Sequence, residues 1–326
     1  MSASVTPESF DSLISSWPDL YRRLRWDSVF VLPPWLRVWW QEFGAGAELY
    51  LCAVREAETV IGIAPLLLKG EKASFIGSAD VCDYLDFVVA PGREQDFFDP
   101  LLENLRQKGI SRLDLGSLRP DSTVVTNLVH IAANRGLQVA CTQEDVSFEL
   151  DLPSTWDEYL GMLSAKQRHE LRRKLRRLQR AGDVNYRLVD DSEALPDVMD
   201  VFLKLFRESR EGKAAFMTPR MESFFVSLAS AMAEAGILRF GVLELNALPV
   251  ATVMYFDYKD SVYLYNSGYD PQYGSLSVGL LCKVLCLRDS IERGKKRFDF
   301  LKGREAYKYR LGGKKVPIYS CQIALN

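Results

Sequence analysis

DSVYLYNSGYDPQYGSLSVGLLCKVLCLRDSIERGKKRFDFLKG, residues 260–303, is the stretch on which the fold turns. It reads as a strand, then a turn through Pro271 and Gly274, then a helix from about 277 to 292 and a second strand, KRFDFLKG. Upstream, GILRFGVLELN and LPVATVMYFDY form a hairpin, preceded by helices over about 156–181, 193–211 and 219–235. Downstream, VPIYSCQIAL closes the chain as a strand.

The first half repeats this order. ELYLCAVRE, TVIGIAPLLLK and KASFIGSAD read as strands, followed by a helix over about 97–108 and the strand RLDLGSL. A helix over about 121–134 and the strands QVACTQ and VSFELDL complete it, and a proline-started helix, PPWLRVWWQEF, precedes it. QKGISRLDLGS (107–117) lies on ERGKKRFDFLKG, with Gly109 over Gly294, Arg112 over Arg297 and Asp114 over Asp299. AVREAETVIGIAPLLL (53–68) lies on GVLELNALPVATVMYF (241–256) at nearly the same offset. The period is far too long for a solenoid and implies duplication. Pro153-Ser154-Thr155 sets the expected boundary, giving domains 1–152 and 153–326 of α/β type with a cleft between them.

The chain has 326 residues, 48% of them hydrophobic and 26% charged, which excludes disordered, collagenous and coiled-coil classes. No apolar run is long enough to span a bilayer, and the first residues lack a secretory pattern, so a cytoplasmic protein is expected. Six scattered cysteines, five of them in apolar surroundings, read as buried thiols. Cys282 and Cys286 have helix-face spacing, but only two histidines accompany them, so no metal is expected. The same scarcity argues against a Ser-His-Asp or Cys-His nucleophile. Charge is unevenly placed. Residues 1–163 carry a net −11 and residues 164–326 a net +9, which points the second half toward something anionic.

Three segments of that half could carry chemistry. SAKQRHELRRKLRRLQRAG, with a helix over 164–181, opens on a Ser164/Gln167 capping box and sets Leu171, Leu175 and Leu178 on one stripe. Arg168, Arg172 and six further bases surround that stripe: a solvated face, or a surface for phosphate, RNA or acidic protein. YDPQYGSLSVGLL places Gly274, Ser275, Ser277 and Gly279 at a helix start, where unpaired N–H groups attract phosphate; a plain capped turn would look alike. KRFDFLKGREAYKYRLGG gathers Asp299, Gly303, Glu305, Tyr307 and Lys308 at a strand's carboxyl end, either a ligand site or a surface ion-pair cluster. In the first half, Asp80, Asp83, Tyr84 and Asp86 crowd DVCDYLDF, facing the same cleft or forming a solvated turn.

The order strand–strand–strand, glycine turn, helix, strand, short helix, strand resembles the GNAT acyltransferase fold. Its duplication resembles the tandem-GNAT group, which holds the Fem-type aminoacyltransferases of peptidoglycan synthesis and the CelD-type acetyltransferases. The motifs RHELRRKLRRLQRAG, SVGLLCKVLCLRDSIERG and FDFLKGREAYKYRLG carry the resemblance. It implies two domains, each a mixed, mainly antiparallel sheet flanked by helices. It also implies acetyl-CoA or another acyl-CoA held by Gly274, Ser275, Ser277 and Gly279, and an acceptor in the cleft. Asp83, Tyr84, Asp86, Arg168, Arg172 and Gly303 would contact that acceptor, a small molecule, saccharide or peptide. The usual Q/R-x-x-G-x-G/A loop is absent, and Val278 stands where the group often has proline. A Fem-type enzyme using aminoacyl-tRNA is therefore the alternative, and a non-catalytic polyanion-binding module the rival of another class.

Amine acylation requires a base, with Asp299 the first choice and Glu305 the second. It also requires oxyanion donors, assigned to the backbone of Asn266, Ser267 and Gly268. Lys308 would fix an anionic acceptor or the carrier's phosphates, with Tyr307 beside it in the same recurring D-x-x-x-G…Y-K pattern.

Overall fold

The computed structural model describes residues 3–326, which divide into two compact units, 3–145 with 316–326, and 146–315. In the first unit β1 (Ser4–Pro7), α1 (Phe10–Leu20) and α2 (Pro33–Phe43) precede β2 (Glu48–Glu56), β3 (Thr59–Lys69), β4 (Lys72–Phe75) and β5 (Val88–Val89). α3 (Glu94–Gln107), β6 (Arg112–Leu118), α4 (Val129–Asn134) and the opening of β7 (Val139–Asp151) follow. β1 to β4 run antiparallel in sequence order, β5 adds to β3, and β4 meets β6 in parallel. β3 is buried along its length, so it reads as a continuous apolar run.

The second unit has the same plan. α5 (Trp156–Met162), α6 (Ala165–Gln179), β8 (Val184–Val189), α7 (Leu195–Ser209), α8 (Glu211–Phe216) and α9 (Pro219–Glu234) precede the sheet strands. β9 (Leu238–Leu245), β10 (Leu248–Tyr258) and β11 (Ser261–Tyr269) run antiparallel, α10 (Val278–Glu292) crosses over, and β12 (Arg297–Lys302) returns parallel to β11. α11 (Ala306–Arg310) and β13 (Lys314–Ala324) end the chain. The crossover helix is buried on nearly every side, among Val278, Leu281, Cys282, Val284, Cys286, Leu287 and Ile291. Among the described residues no helix is long and apolar enough to cross a membrane.

Four sequence expectations change. QVACTQ and VSFELDL form one strand, β7. The helix expected over 156–181 breaks at Leu163, which is extended (ψ 146°) ahead of the Ser164 capping box. The helix expected over 121–134 opens with a π segment at Val124–Leu128. The largest change concerns the boundary. Ser147–Asp151 of β7 pair with β12 in the second unit, while Tyr319–Ala324 of β13 return to pair with β6 in the first. Each unit is closed by the strand that follows the other unit's elements, which displaces the boundary from 152/153. One bond records the exchange: Cys141 on β7 is disulfide-bonded to Cys321 on β13, across 180 residues, so these two are not the buried thiols expected. Cys52, Cys82, Cys282 and Cys286 are buried and free.

Candidate active site

β11 and β12 are paired only from Ser261 to Tyr263, against Arg297 to Asp299. β11 then keeps its antiparallel partner β10 as far as Tyr269, with a bulge at Tyr265, while β12 turns away through a bulge of its own on β7. The two parallel strands therefore part at their carboxyl ends, and Asn266, Ser267 and Gly268 lie on the parted length. Gly268 is glycine for a packing reason: a Cβ there would run into the backbone of Leu205 and Phe206 in α7.

The bulge in β12 explains Asp299. The register on β7 skips from Asp299 to Leu301, and Leu301 adopts a left-handed φ of 63°. The Asp299 carboxylate accepts the Leu301 N–H at 2.8 Å, and the residue is 1% exposed. Asp299 thus holds the strand's shape from a buried position, which sets it apart from the proton-accepting role expected of it.

α10 begins one residue beyond the turn Pro271–Leu276. Ser277, its N-cap, is left-handed (φ 61°) and provides no side-chain cap, and the first turn contains no acidic residue. The Ser277 hydroxyl instead accepts a hydrogen bond from Lys174 Nζ of α6 at 2.8 Å. A helix start and an ammonium group thus add their positive potential at one place. Gly274 and Ser275 are exposed on the turn, and Gly274 has open space where a Cβ would stand. Gly279 is explained by packing, because a Cβ there would approach the Tyr269 ring to 2.7 Å.

α6 reaches this point because Leu171 and Leu178 are buried and Leu175 is half-buried. Each fully buried leucine contributes roughly 1.5–3 kcal/mol. Arg168 does not face outward as expected; its Nη1 donates to the last carbonyls of α5, Leu160 (3.3 Å) and Leu163 (3.5 Å). Arg173 pairs with Glu170, whose carboxyl is lowered to about 2 chiefly by that hydrogen bond. Arg172, Arg176, Arg177 and Arg180 are exposed.

The third segment does gather. Beyond β12 the chain turns at Gly303 (φ 111°), where a Cβ would come within 2.5 Å of a Glu305 oxygen. Lys308 is 2% exposed and donates to the carbonyls of Leu301 (3.0 Å) and Lys302, with Glu305 Oε2 at 3.1 Å. That ammonium is fully partnered and locks the loop. Glu305 keeps 49% of its side chain in solvent. Burial, and then Glu305 itself, push the Tyr307 phenol well above its ordinary value.

Three cations that the sequence did not single out join this group. Lys283 of α10 donates to the carbonyl of Gly279 at 3.0 Å, with its Nζ 5.2 Å from the centre of the Tyr307 ring. Lys213 of α8 donates to the carbonyl of Ser267, on the parted length of β11, and lies 4.5 Å from the Phe206 ring centre. Arg210 lies at the junction of α7 and α8, exposed. Burial, reinforced by repulsion from Lys283 and Arg210, lowers Lys213 to about 7; Lys283 falls to about 8 by burial first. Lys283 left a trace in the sequence as the lone charge inside VGLLCKVLCL. Lys213, in an ordinary polar stretch, left none.

The acidic-aromatic segment belongs to the first unit and builds its core. Tyr84 is buried edge-on to Phe30, under the Arg119 guanidinium. Asp86 accepts backbone N–H groups of Phe87 (2.9 Å), Thr123 (2.6 Å) and Val124 (3.3 Å). Burial nevertheless raises its carboxyl to about 7. Tyr84 and Asp86 are thereby occupied within the fold, contrary to the acceptor contact expected of them, and Asp83 is half-buried beside them. Among the described residues no group of three or more metal-ligating side chains assembles.

Residues 165–309 match the family model of the acetyltransferase (GNAT) domain. A search of curated proteins finds no match. Several solved structures share the fold over nearly the whole chain. FemX is 11% identical with a TM-score of 0.64, covering 97% of this chain and 96% of its own. The C-terminal domain of a putative lysylphosphatidylglycerol synthetase from Agrobacterium fabrum is 14% identical with a TM-score of 0.61, covering 98% and 92%. L-PGS from Bacillus licheniformis is 10% identical with a TM-score of 0.55, covering 89% and 90%. Residues 165–309 are thus similar to the GNAT-type acetyltransferase domain, within a fold that the chain shares with these proteins.

Proposed function

We propose that the second unit transfers an acyl group from acyl-CoA to an amine by direct attack on the thioester. The observation that carries this reading is the parting of β11 and β12 beside a helix start with no side-chain cap and with Lys174 against it. The diphosphate of CoA binds the first turn of α10, where N–H groups, helix potential and Lys174 act together. The acyl end lies along β11, and backbone N–H groups of Asn266–Gly268 stabilise the charge that develops on the thioester oxygen.

An alkylammonium has a pKa of about 10, so the acceptor nitrogen must lose a proton before it attacks. Glu305 takes that proton, directly or through one water. It is the solvent-accessible carboxylate of the cluster, and Lys308 fixes its position. No covalent enzyme intermediate is needed. The test combines CoA titration with a turnover assay over a panel of amines. CoA should stabilise the native chain by mass action, and Glu305→Gln should retain CoA binding while losing turnover. Native protein indifferent to CoA would contradict the reading.

The exposed arginines of α6 and the fold shared with FemX favour a second reading, in which aminoacyl-tRNA is the carrier. Stabilisation by tRNA that falls steeply with salt, and that CoA fails to reproduce, would select it.

A further inference from the structure

Resting on that transfer reading, we infer that the acceptor carries its own negative charge, a carboxylate or phosphate held by Lys213, Lys283 and Arg210. The reason is an imbalance of charge. Beside the cations Lys213, Lys283, Arg210 and Lys308, the solvent-accessible carboxylate is Glu305, which is paired with Lys308, while the Asp299 carboxylate is buried against the Leu301 N–H. Lys213 and Lys283 spend one hydrogen bond each on a backbone carbonyl, Ser267 and Gly279, and neither has a carboxylate within ion-pair distance among the described residues. The Arg210 guanidinium makes no hydrogen bond or ion pair among the described residues. Partly buried cations without counter-charges are costly, and the inexpensive ways out are to lose protons or to bind an anion.

The position favours the acceptor over the carrier. Lys213 is fixed on the parted length of β11, and Lys283 lies a turn inside α10, against Tyr307. The carrier's diphosphate already has Lys174 and the first turn of α10. An anionic group seated among Lys213, Lys283 and Arg210 would hold a neighbouring amine near Glu305, and it would exclude neutral and cationic amines by leaving those cations unpaired.

The test uses the full chain and three probes: CoA, glutarate as the carboxylate and phenyl phosphate as the phosphate. At pH 7, glutarate or phenyl phosphate should raise the melting temperature with CoA already bound. Whichever of the two acts more strongly identifies the source of the charge. Anion affinity should fall at least tenfold between pH 6.5 and pH 9.5, as Lys213 and Lys283 lose their protons in the presence of Arg210, Glu305, Lys308 and Tyr307. Arg210→Ala removes an exposed side chain with no partner, so it keeps the fold testable where Lys213→Met does not. It should weaken anion binding about tenfold and leave CoA affinity within twofold. Equal loss of CoA affinity in Arg210→Ala would assign the cluster to the carrier and overturn the inference, as would anions without effect on CoA-bound protein. A native chain that ignores CoA would sink the transfer reading instead, and the anion titrations on free protein would still decide whether the cluster binds anions.

Discussion

The two units share one plan and treat its open end in opposite ways. In the first, β4 has four residues, and the chain after it buries Ile76, Val81, Cys82, Tyr84, Leu85 and Phe87. Its crossover helix, α3, carries Glu94 and Asp96 in the first turn, and Glu94 accepts the N–H of Gly92. In the second, β11 has nine residues, and the chain after it runs through exposed Pro271, Gln272, Gly274 and Ser275. Its helix has no acid in the first turn and a lysine against its N-cap. Neither helix start has a side-chain cap, so the difference is electrostatic: first-turn acids offset the helix potential of α3, and nothing in the first turn of α10 does so. The two units thus keep one scaffold, and its open end in the second lacks the acids found in the first.

The sharpest way to break this contrast is to remove the proposed base. Glu305→Gln should lower kcat by a factor of about 10²–10⁴ with CoA affinity intact. A variant with full turnover would remove Glu305 from the mechanism and leave the second unit without an accessible carboxylate in its cluster.

A smaller effect comes from giving the second unit the first unit's chemistry. Leu280→Asp places an acid at the half-buried third position of the helix, where α3 has Asp96, and should weaken CoA binding by about tenfold, through repulsion. The reciprocal change, Asp96→Ala, should leave CoA affinity unaltered. Equal responses at the two helices would erase the distinction drawn between them.

The mildest signature is pH-dependent and belongs to the first unit. The Asp86 pKa is raised by burial from 3.8 to about 7, so folded protein holds a proton there that unfolded chain has already lost. The stabilising contribution is complete below about pH 4 and disappears as pH rises through about 7. Denaturant titrations from pH 5 to pH 8 should show declining stability from this group, and Asp86→Asn should flatten that dependence. A variant with the wild-type slope would assign the decline to other groups.

Much of this was legible in the sequence because it is local. ELYLCAVRE, TVIGIAPLLLK and RLDLGSL became β2, β3 and β6 with their ends unchanged, and the Ser164/Gln167 capping box starts α6. The duplication was visible because aligned glycines and charges keep their spacing. The exchange of β7 and β13 was hidden, because a strand's alternation states its faces and says nothing of its partner. For the same reason the bond between Cys141 and Cys321 was not foreseen. At the site, Glu305, Tyr307 and Lys308 were found as near neighbours in sequence. Lys213 comes to Ser267 from 54 residues away, a distance no motif spans. The hydrogen bond of Asp299 was not foreseen because it depends on a left-handed Leu301 two residues on, a conformation ordinarily left to glycine.

Amide hydrogen exchange with and without CoA tests the central claim most directly. Slowed exchange is expected at Val278–Leu281 and along Asn266–Gly268, with residues 92–97 at the start of α3 unaffected. Bound CoA that slows exchange at α3, or leaves the start of α10 unchanged, would contradict it.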